Sequence, residues 1–227
     1  MSPELDAALQ LYRDRHYDEA ASAFAGLARA EADPGRAAVL HANAGTAAAR
    51  AEHWGEAVWQ LRRARLLAPR DAVAATNLAR VRAILGETSS EATHFTETLR
   101  ELPLRLTPAE GDAACGAAVS VALLLLALRR ALPGRRVLVT LSILLLLFAA
   151  AWWPVSLKAW NAARARAVII PATATGRAEP DASSEILFRL AAGTVVRAEE
   201  SRHGWRLIES DAGARGWVPE DDARPLR

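Results

Sequence analysis

The sequence predicts a multidomain membrane protein in which an all-α region, a transmembrane helical hairpin and a small all-β barrel follow one another. Two long uncharged runs flank a cluster of four arginines in the second half of the chain. Apolar residues before these runs recur at helical spacing, and those after them alternate as in strands. We therefore divide the chain into a helical domain (1–86), a juxtamembrane linker (87–112), the hairpin (113–157) and an interfacial belt with the barrel (158–227).

The hairpin consists of residues 113–128 and 137–157, neither of which contains a charged side chain. A spanning helix needs about 20 apolar residues, so the second run is long enough and the first is short. Snorkelling of Arg129 and Arg130, together with local thinning of the bilayer, compensates for the short run. The alternative is a helical hairpin buried inside a soluble protein, but helices that are apolar on every face are rare outside membranes.

The distribution of charge excludes one class of partner. The chain carries a net charge of +2, while residues 112–165 alone carry +5. The basic surplus therefore lies beside the membrane runs, and no basic face remains for the phosphates of a nucleic acid. Cys115 is the only cysteine, which excludes an internal disulfide and a cysteine-based zinc site.

Residues 1–86 contain a repeated helical pattern. Ala20 and Phe24 are followed by Ala57 and Leu61 at the same spacing, and a further helix begins near Asp71 and ends at Gly86. We expect Pro34-Gly35 to end the second helix and Pro69 to end the corresponding helix of the next unit. The pattern resembles the tetratricopeptide repeat, which has a small residue, an aromatic residue and a terminal proline at these places. We count two repeats and a capping helix, with a generic array of α-hairpins as the alternative.

The tetratricopeptide resemblance implies a concave surface that binds peptide or protein segments. On the family pattern this surface includes five polar residues, which are Asn43, Thr46, Arg50, Asn77 and Arg80. The alternative is that these side chains form an ordinary solvated helix face.

The segments that flank the hairpin show features of a membrane surface. Thr107 and Glu110 have the spacing of a helix N-cap and its third residue. Before them, apolar residues at helical spacing predict a short amphipathic segment near the bilayer, with Phe95, Leu99, Leu102 and Leu106. After the hairpin we expect an interfacial belt formed by Trp152, Trp153, Lys158, Trp160, Arg164 and Arg166.

The last sixty residues predict a small barrel of five short strands, at 167–170, 185–190, 195–198, 205–209 and 216–219. Turns are expected at His203-Gly204 and at residues 211–214. Gly193-Thr194, Gly204-Trp205 and Gly216-Trp217-Val218 occur in the order typical of the bacterial SH3 domain, which this region resembles. The resemblance implies a groove beside Trp205 and Trp217 that grips a peptide or a cell-wall segment. The alternative is that both tryptophans fill the core and fix the turns.

The sequence offers no candidate for catalysis, so we expect a non-enzymatic protein without cofactor or metal. The histidines at 16, 41, 53, 94 and 203 have no partner at metal-ligand spacing. There is no phosphate-binding glycine loop and no nucleophile elbow.

The order of helical repeats, two membrane helices and an SH3-like barrel resembles the BatE-type aerotolerance proteins of bacteria. This resemblance implies an inner-membrane scaffold that recruits partners to an envelope complex under oxidative or other stress. It also implies membrane-anchored von Willebrand factor A-domain proteins as partners. The alternative function is a cell-wall anchor whose barrel binds peptidoglycan.

The arginine cluster predicts the orientation in the membrane. Four arginines within residues 129–136 favour a cytoplasmic loop, which places both soluble domains in the periplasm. The first residues have neither a basic nor an apolar region of a signal peptide. Either Met1 is not the true start, or the sequence is a mature form, or the orientation is inverted. Because BatE-like relatives usually carry a signal peptide, we favour a missing N-terminal segment.

Overall fold

The computed structural model describes residues 2–86, 105–128 and 135–226. The chain divides into two compact units, one formed by Met1–Ser90 with Ala163–Arg227 and the other by Glu91–Ala162. The N-terminal helices and the C-terminal sheet therefore lie in one unit. The amphipathic segment expected around Phe95, Leu99 and Leu102 and the arginine cluster at 129–134 lie outside the described residues.

The N-terminal part is a series of helices in which each helix packs on the next, namely α1 (Pro3–Arg13), α2 (Tyr17–Ala30), α3 (Pro34–Arg50), α4 (Trp54–Leu67) and α5 (Ala72–Ile84). Side-chain caps fix three of the starts. Ser2 accepts a hydrogen bond from the backbone N–H of Leu5, and Asp33 accepts one from that of Arg36 at 2.7 Å. Asp71 caps α5, close to where the sequence predicted that this helix begins.

The expectation for Pro34 is wrong. α2 ends at Ala30, and Pro34 is the first residue of α3. Proline is tolerated there because the first N–H groups of a helix have no intrahelical acceptor, and the ring fixes φ near its helical value. With Asp33 as the cap, the proline starts a helix.

Two turns in this series have the same conformation, 37 residues apart. Arg15 and Glu52 both have left-handed φ, at 66° and 61°. His16 and His53, which precede α2 and α4, have ψ of 66° and 72°. The matching turns support an internal repeat of two helical hairpins followed by α5, while the tetratricopeptide assignment stays a prediction.

The helical core is built from small side chains. Alanines fill most buried positions, with Phe24 and Leu61 as its largest fully buried apolar residues. Gly45 allows α3 to approach α4 closely, since a Cβ there would lie 2.7 Å from Leu61 Cγ. Val168 of the C-terminal sheet and Leu226, which follows its last strand, are members of the same buried cluster.

The second unit contains α6 (Pro108–Leu128) and α7 (Arg135–Arg164), both long and apolar enough to cross a membrane. α6 starts five residues before the predicted run, so its 21 residues span about 32 Å, enough for a bilayer core. The helix is therefore longer than the uncharged run 113–128, and Glu110 and Asp112 lie in the added turn. Leu124 and Leu147 are 59% and 61% exposed, which suits lipid contact and disfavours a hairpin buried in a soluble protein.

The ends of these helices confirm one expectation and correct another. Glu110 Oε2 accepts a hydrogen bond from the Thr107 backbone N–H at 2.8 Å, and the Glu110 N–H donates to Thr107 Oγ1, which is the predicted capping box. α7 continues through Pro154 to Arg164 and so extends beyond the predicted run. Trp160 was expected in the interfacial belt, but it is buried and its Nε1–H donates to the Leu106 carbonyl at 3.1 Å.

The C-terminal part is an antiparallel sheet of seven strands in the order β3-β2-β6-β5-β4-β1-β7. The strands are β1 (Arg166–Ile169), β2 (Thr173–Arg177), β3 (Ile186–Ala191), β4 (Val195–Arg202), β5 (Trp205–Ser210), β6 (Arg215–Pro219) and β7 (Ala223–Pro225). The two predicted turns are confirmed. His203 and Gly204 both have positive φ between β4 and β5, and Gly213 has φ of 82° between β5 and β6.

Five strands were expected, and β2 and β7 are additional. β2 has no large apolar residue to signal it, because the Phe188 ring on β3 lies over Gly176 and fills the space above the strand. β7 is only three residues long and contains Pro225. Proline is compatible with an edge strand such as β7, because the N–H that it lacks is not needed to pair with a further strand.

Candidate functional site

The outer face of the sheet brings the two predicted tryptophans together. Along β5 and β6 the burial alternates, with Ile208 and Val218 buried inside and Trp205 and Trp217 half-buried on the opposite face. Trp205 pairs with Pro219 and Leu207 pairs with Trp217, so the tryptophans are diagonal neighbours. We call Trp205, Leu207, Trp217 and Pro219 the aromatic face. The barrel's buried cluster is formed by other residues, so the aromatic face lies outside this core.

Charged and polar groups border the aromatic face. Arg177 on β2 pairs with Trp217, and its guanidinium donates to the Ser184 carbonyl at 2.6 Å. Arg202 on β4 pairs with Trp205 and is exposed. This arrangement offers flat apolar surface between cations, which suits an extended peptide or a sugar ring stacked on indole.

The predicted helical surface is only partly available for binding. Asn77 Nδ2 donates to Thr46 Oγ1 at 2.9 Å, and the Thr46 hydroxyl donates to the Ala42 carbonyl. These two side chains therefore join α5 to α3. Arg50 and Arg80 are exposed, and Asn43 is half-buried. The remaining surface is a pair of arginines with Asn43.

A junction between α4 and the sheet has no counterpart in the sequence analysis. Trp59 Nε1–H donates to the Pro225 carbonyl at 2.9 Å, and Arg63 donates to the Leu226 carbonyl at 2.6 Å. The Arg224 guanidinium lies 5.1 Å from the centre of the Trp59 ring and pairs with the Glu56 carboxylate. One face of α4 thus binds the C-terminal end of the sheet through two backbone carbonyls and through the Arg224 side chain.

The junction continues into a buried histidine. His41 Nδ1 lies 2.6 Å from Gln60 Oε1, and Gln60 Nε2 donates to Glu56 at 2.8 Å. Burial lowers the pKa of His41; Arg63 and Arg29 act in the same direction, while the Gln60 hydrogen bond and Glu56 oppose it. The neutral ring with a proton on Nδ1 fits this network, because Gln60 Oε1 accepts.

His41 is expected to make stability fall with acidification. Since its pKa is lower in the folded chain, the unfolded chain binds the extra proton more readily. The contribution is complete above the unfolded pKa of 6.5 and is lost as pH falls below it towards the folded pKa. For each pKa unit by which folding lowers the pKa of His41, the free energy of unfolding falls by about 1.4 kcal/mol on acidification.

Thermal unfolding of the full chain in detergent between pH 7.5 and 5 measures this effect. His41→Gln is expected to flatten the decline in midpoint temperature relative to the unaltered chain. An equal decline in both chains would contradict the assignment to His41.

No group of three histidine, cysteine, aspartate or glutamate side chains is placed to hold a metal ion in the parts of the chain that the structure describes.

The comparisons with known proteins agree with the barrel. The family model of the bacterial SH3 domain matches residues 171–222, which run from before β2 to the turn that precedes β7. No curated protein and no solved structure matches the chain. The match covers the aromatic face and leaves β1 and the junction with α4 outside it.

Sequence reasoning missed Glu56, Trp59, Arg63 and Arg224 because their partners lie more than 160 residues away. One signal was available. Trp59 lies on the same helix face as Glu56 and Arg63, where a large aromatic among charged residues indicates a contact beyond the helix.

Proposed function

We propose that this protein is a non-enzymatic, membrane-anchored adaptor whose aromatic face binds an extended segment of a partner protein. The placement of Trp205 and Trp217 side by side on the outer face of an SH3-like sheet carries the proposal. Tryptophan supplies large contact area at low entropic cost and is enriched among residues that dominate binding energy. Bacterial SH3 domains commonly bind proteins or peptidoglycan, which agrees with this use of the face.

The helical unit supplies a second contact. Arg50 and Arg80 are exposed on α3 and α5, and they suit an acidic segment of a partner. Because α4 holds the sheet, the two surfaces belong to one unit. In this proposal the helices are tetratricopeptide repeats, and the chain is a BatE-like scaffold in oxidative or envelope stress. Membrane-anchored von Willebrand factor A-domain proteins are the proposed partners.

The alternative function is attachment to the cell wall. A sugar ring stacks on indole as readily as a peptide does, and the aromatic face is flat enough for either. The cell-wall function requires the barrel in the periplasm, as the arginine cluster favours. Alkaline phosphatase fused after residue 227 would be active in that orientation. An inactive fusion would remove the cell-wall function and place the partner of the adaptor among cytoplasmic proteins.

Binding through the aromatic face is tested with the full chain in detergent. A photo-crosslinking residue in place of Arg202, an exposed residue that borders the aromatic face, is expected to trap a membrane protein in cells. Alanine at Trp205 or Trp217 is expected to weaken capture of that protein about 30-fold, the usual effect of a dominant interface tryptophan. Val73→Ala, on an exposed residue of α5, is the matched control and should leave capture unchanged.

The same variants decide between the two functions. Retention on purified peptidoglycan that is lost with Trp217→Ala would favour the cell-wall anchor. Trapping of a protein without retention on peptidoglycan would favour the adaptor. If replacement of both tryptophans left protein capture and retention on peptidoglycan unchanged, the aromatic face would not be the binding surface.

A further inference from the structure

Four residues on successive strands form a line across the aromatic face. Arg202 on β4 pairs with Trp205 on β5, and Trp217 on β6 pairs with Arg177 on β2. The two tryptophans are diagonal neighbours, and β4, β5, β6 and β2 are consecutive in the sheet. Cross-strand partners share a face of the sheet. A cation therefore lies at each end of the line, with two indole rings between.

The arginines at both ends of this line keep donors for a ligand. Arg202 is exposed, and neither Arg202 nor Arg177 forms an ion pair with the residues that the structure describes. Arg177 donates to the Ser184 carbonyl, but a guanidinium has five N–H donors, so others remain. The Asp181 carboxylate, whose charge acts on Arg177 from the adjoining turn, is hydrogen-bonded to Ser183 and not to the guanidinium.

Glu200 distinguishes this diagonal line from a straight row across the sheet. It pairs with Leu207, which pairs with Trp217, so the row of cross-strand partners that contains Arg177 ends at a carboxylate. Glu200 is exposed and has no ion pair among the described residues. A ligand carboxylate is repelled there and attracted by Arg202, two residues along β4. A segment with an acidic residue at each end therefore crosses the sheet on the diagonal, over both tryptophans.

We propose that the partner segment bound by the aromatic face is acidic, with one carboxylate on Arg202, one on Arg177 and apolar residues on the tryptophans between them. This rests on the proposed function of the face and adds the chemistry and direction of the ligand. Three strand spacings of about 4.8 Å and a shift of two residues along the strands separate the arginines by about 16 Å. An extended chain rises about 3.3 Å per residue, so the acidic residues are about five positions apart.

Fluorescence anisotropy with the full chain in detergent tests the chemistry of the ligand. The probe is a labelled peptide with two glutamates five positions apart and leucine and proline between them. Glutamine in place of both glutamates is expected to weaken binding about tenfold, because two charge-assisted hydrogen-bonded contacts are lost, and lysine should abolish it. Binding of the glutamate peptide should also weaken as salt is raised. A peptide of the same composition with adjacent glutamates is the control for spacing and should bind as weakly as the glutamine peptide.

Substitution of the arginines tests their placement. Arg202→Gln and Arg177→Gln should each weaken binding of the glutamate peptide about fivefold, the upper range for an exposed ion pair, and leave the glutamine peptide unchanged. The Arg202 side chain forms no hydrogen bond with the described residues, so its loss should leave the fold intact. Arg202→Glu should bind a peptide with one glutamate replaced by lysine better than the original probe. Arg80→Gln, on an exposed residue of α5, is the matched control.

The possible failures are distinguishable. Equal binding of the glutamate and glutamine peptides that is lost with Trp217→Ala would leave the adaptor function standing and overturn the charge preference. Equal binding of spaced and adjacent glutamates would overturn the diagonal path. Binding that depends on Arg80 and not on Arg202 or Arg177 would place the acidic segment on the helices. Absence of binding by every peptide, or binding that does not depend on Trp217, would contradict the proposed function of the face itself.

Discussion

Replacing Gly55 by alanine is expected to lower the free energy of unfolding of the helix–sheet junction by about 2–3 kcal/mol, the usual cost of forcing extra atoms into a packed site. An ideal Cβ on Gly55 would lie 2.3 Å from the Ile170 carbonyl oxygen and 2.5 Å from that of Ile169. These atoms belong to the backbone, so no side-chain rotation relieves the overlap. α4 and the end of β1 must therefore move apart, and the contacts of Trp59 with β7 are lost with them.

Amide hydrogen exchange of the full chain in detergent measures this change. Exchange in β1 and β7 is expected to accelerate by about 30-fold or more, as a loss of 2 kcal/mol implies. Gly26→Ala is the matched control. Gly26 lies within α2 and a Cβ there would meet nothing within 4 Å, so alanine should raise stability by up to about 1 kcal/mol. If both substitutions were equally tolerated, the close packing of α4 on β1 would be contradicted.

Features set by short stretches of sequence could be predicted. The Thr107–Glu110 capping box, the start of α5 at Asp71 and the His203-Gly204 turn each depend on residues at most three positions apart. Their geometry follows from local backbone chemistry. The repeat was visible because Ala20 and Phe24 recur as Ala57 and Leu61, and the turns at Arg15 and Glu52 have matching conformations in the structure.

Features set by distant partners could not be predicted. The strand β2 is defined by a phenylalanine on another strand, and the junction joins α4 to the end of the chain. The helical surface illustrates the same limit. Thr46 and Asn77 were expected to face a ligand, but they bond each other because α5 returns to pack beside α3.

The aromatic face shows how a buried polar group decides the orientation of a strand. In the run Trp205-Arg206-Leu207-Ile208, hydrophobicity alone would turn Trp205 and Leu207 inwards. The structure turns Arg206 and Ile208 inwards instead. This orientation is tolerable only because the guanidinium finds acceptors inside the barrel, and it is what leaves both tryptophans on the outer face.

Replacing Arg206 by methionine is therefore expected to cost about 2–3 kcal/mol of stability, the penalty for leaving buried acceptors without donors. The guanidinium bonds the carboxylate and carbonyl of Glu220 and the carbonyl of Ala223, and its Nε–H donates to Ser201 Oγ at 3.3 Å. Methionine fills much of the same volume but offers no donor. Chemical denaturation of the full chain in detergent, followed by tryptophan fluorescence, gives the loss.

Two variants separate the charge of Arg206 from its geometry. Arg206→Lys keeps the charge but cannot reach several acceptors at once, so we expect an intermediate loss. Glu220→Gln removes the charge of a half-exposed partner and should cost less than about 1 kcal/mol. If Glu220→Gln lowered stability as much as Arg206→Met, the ion pair, and not the hydrogen bonds to backbone carbonyls, would be what stabilises the turn between Glu220 and Ala223. Because the turn leads directly into β7, which α4 grips at Pro225, exchange in β7 should rise first when Arg206 is lost.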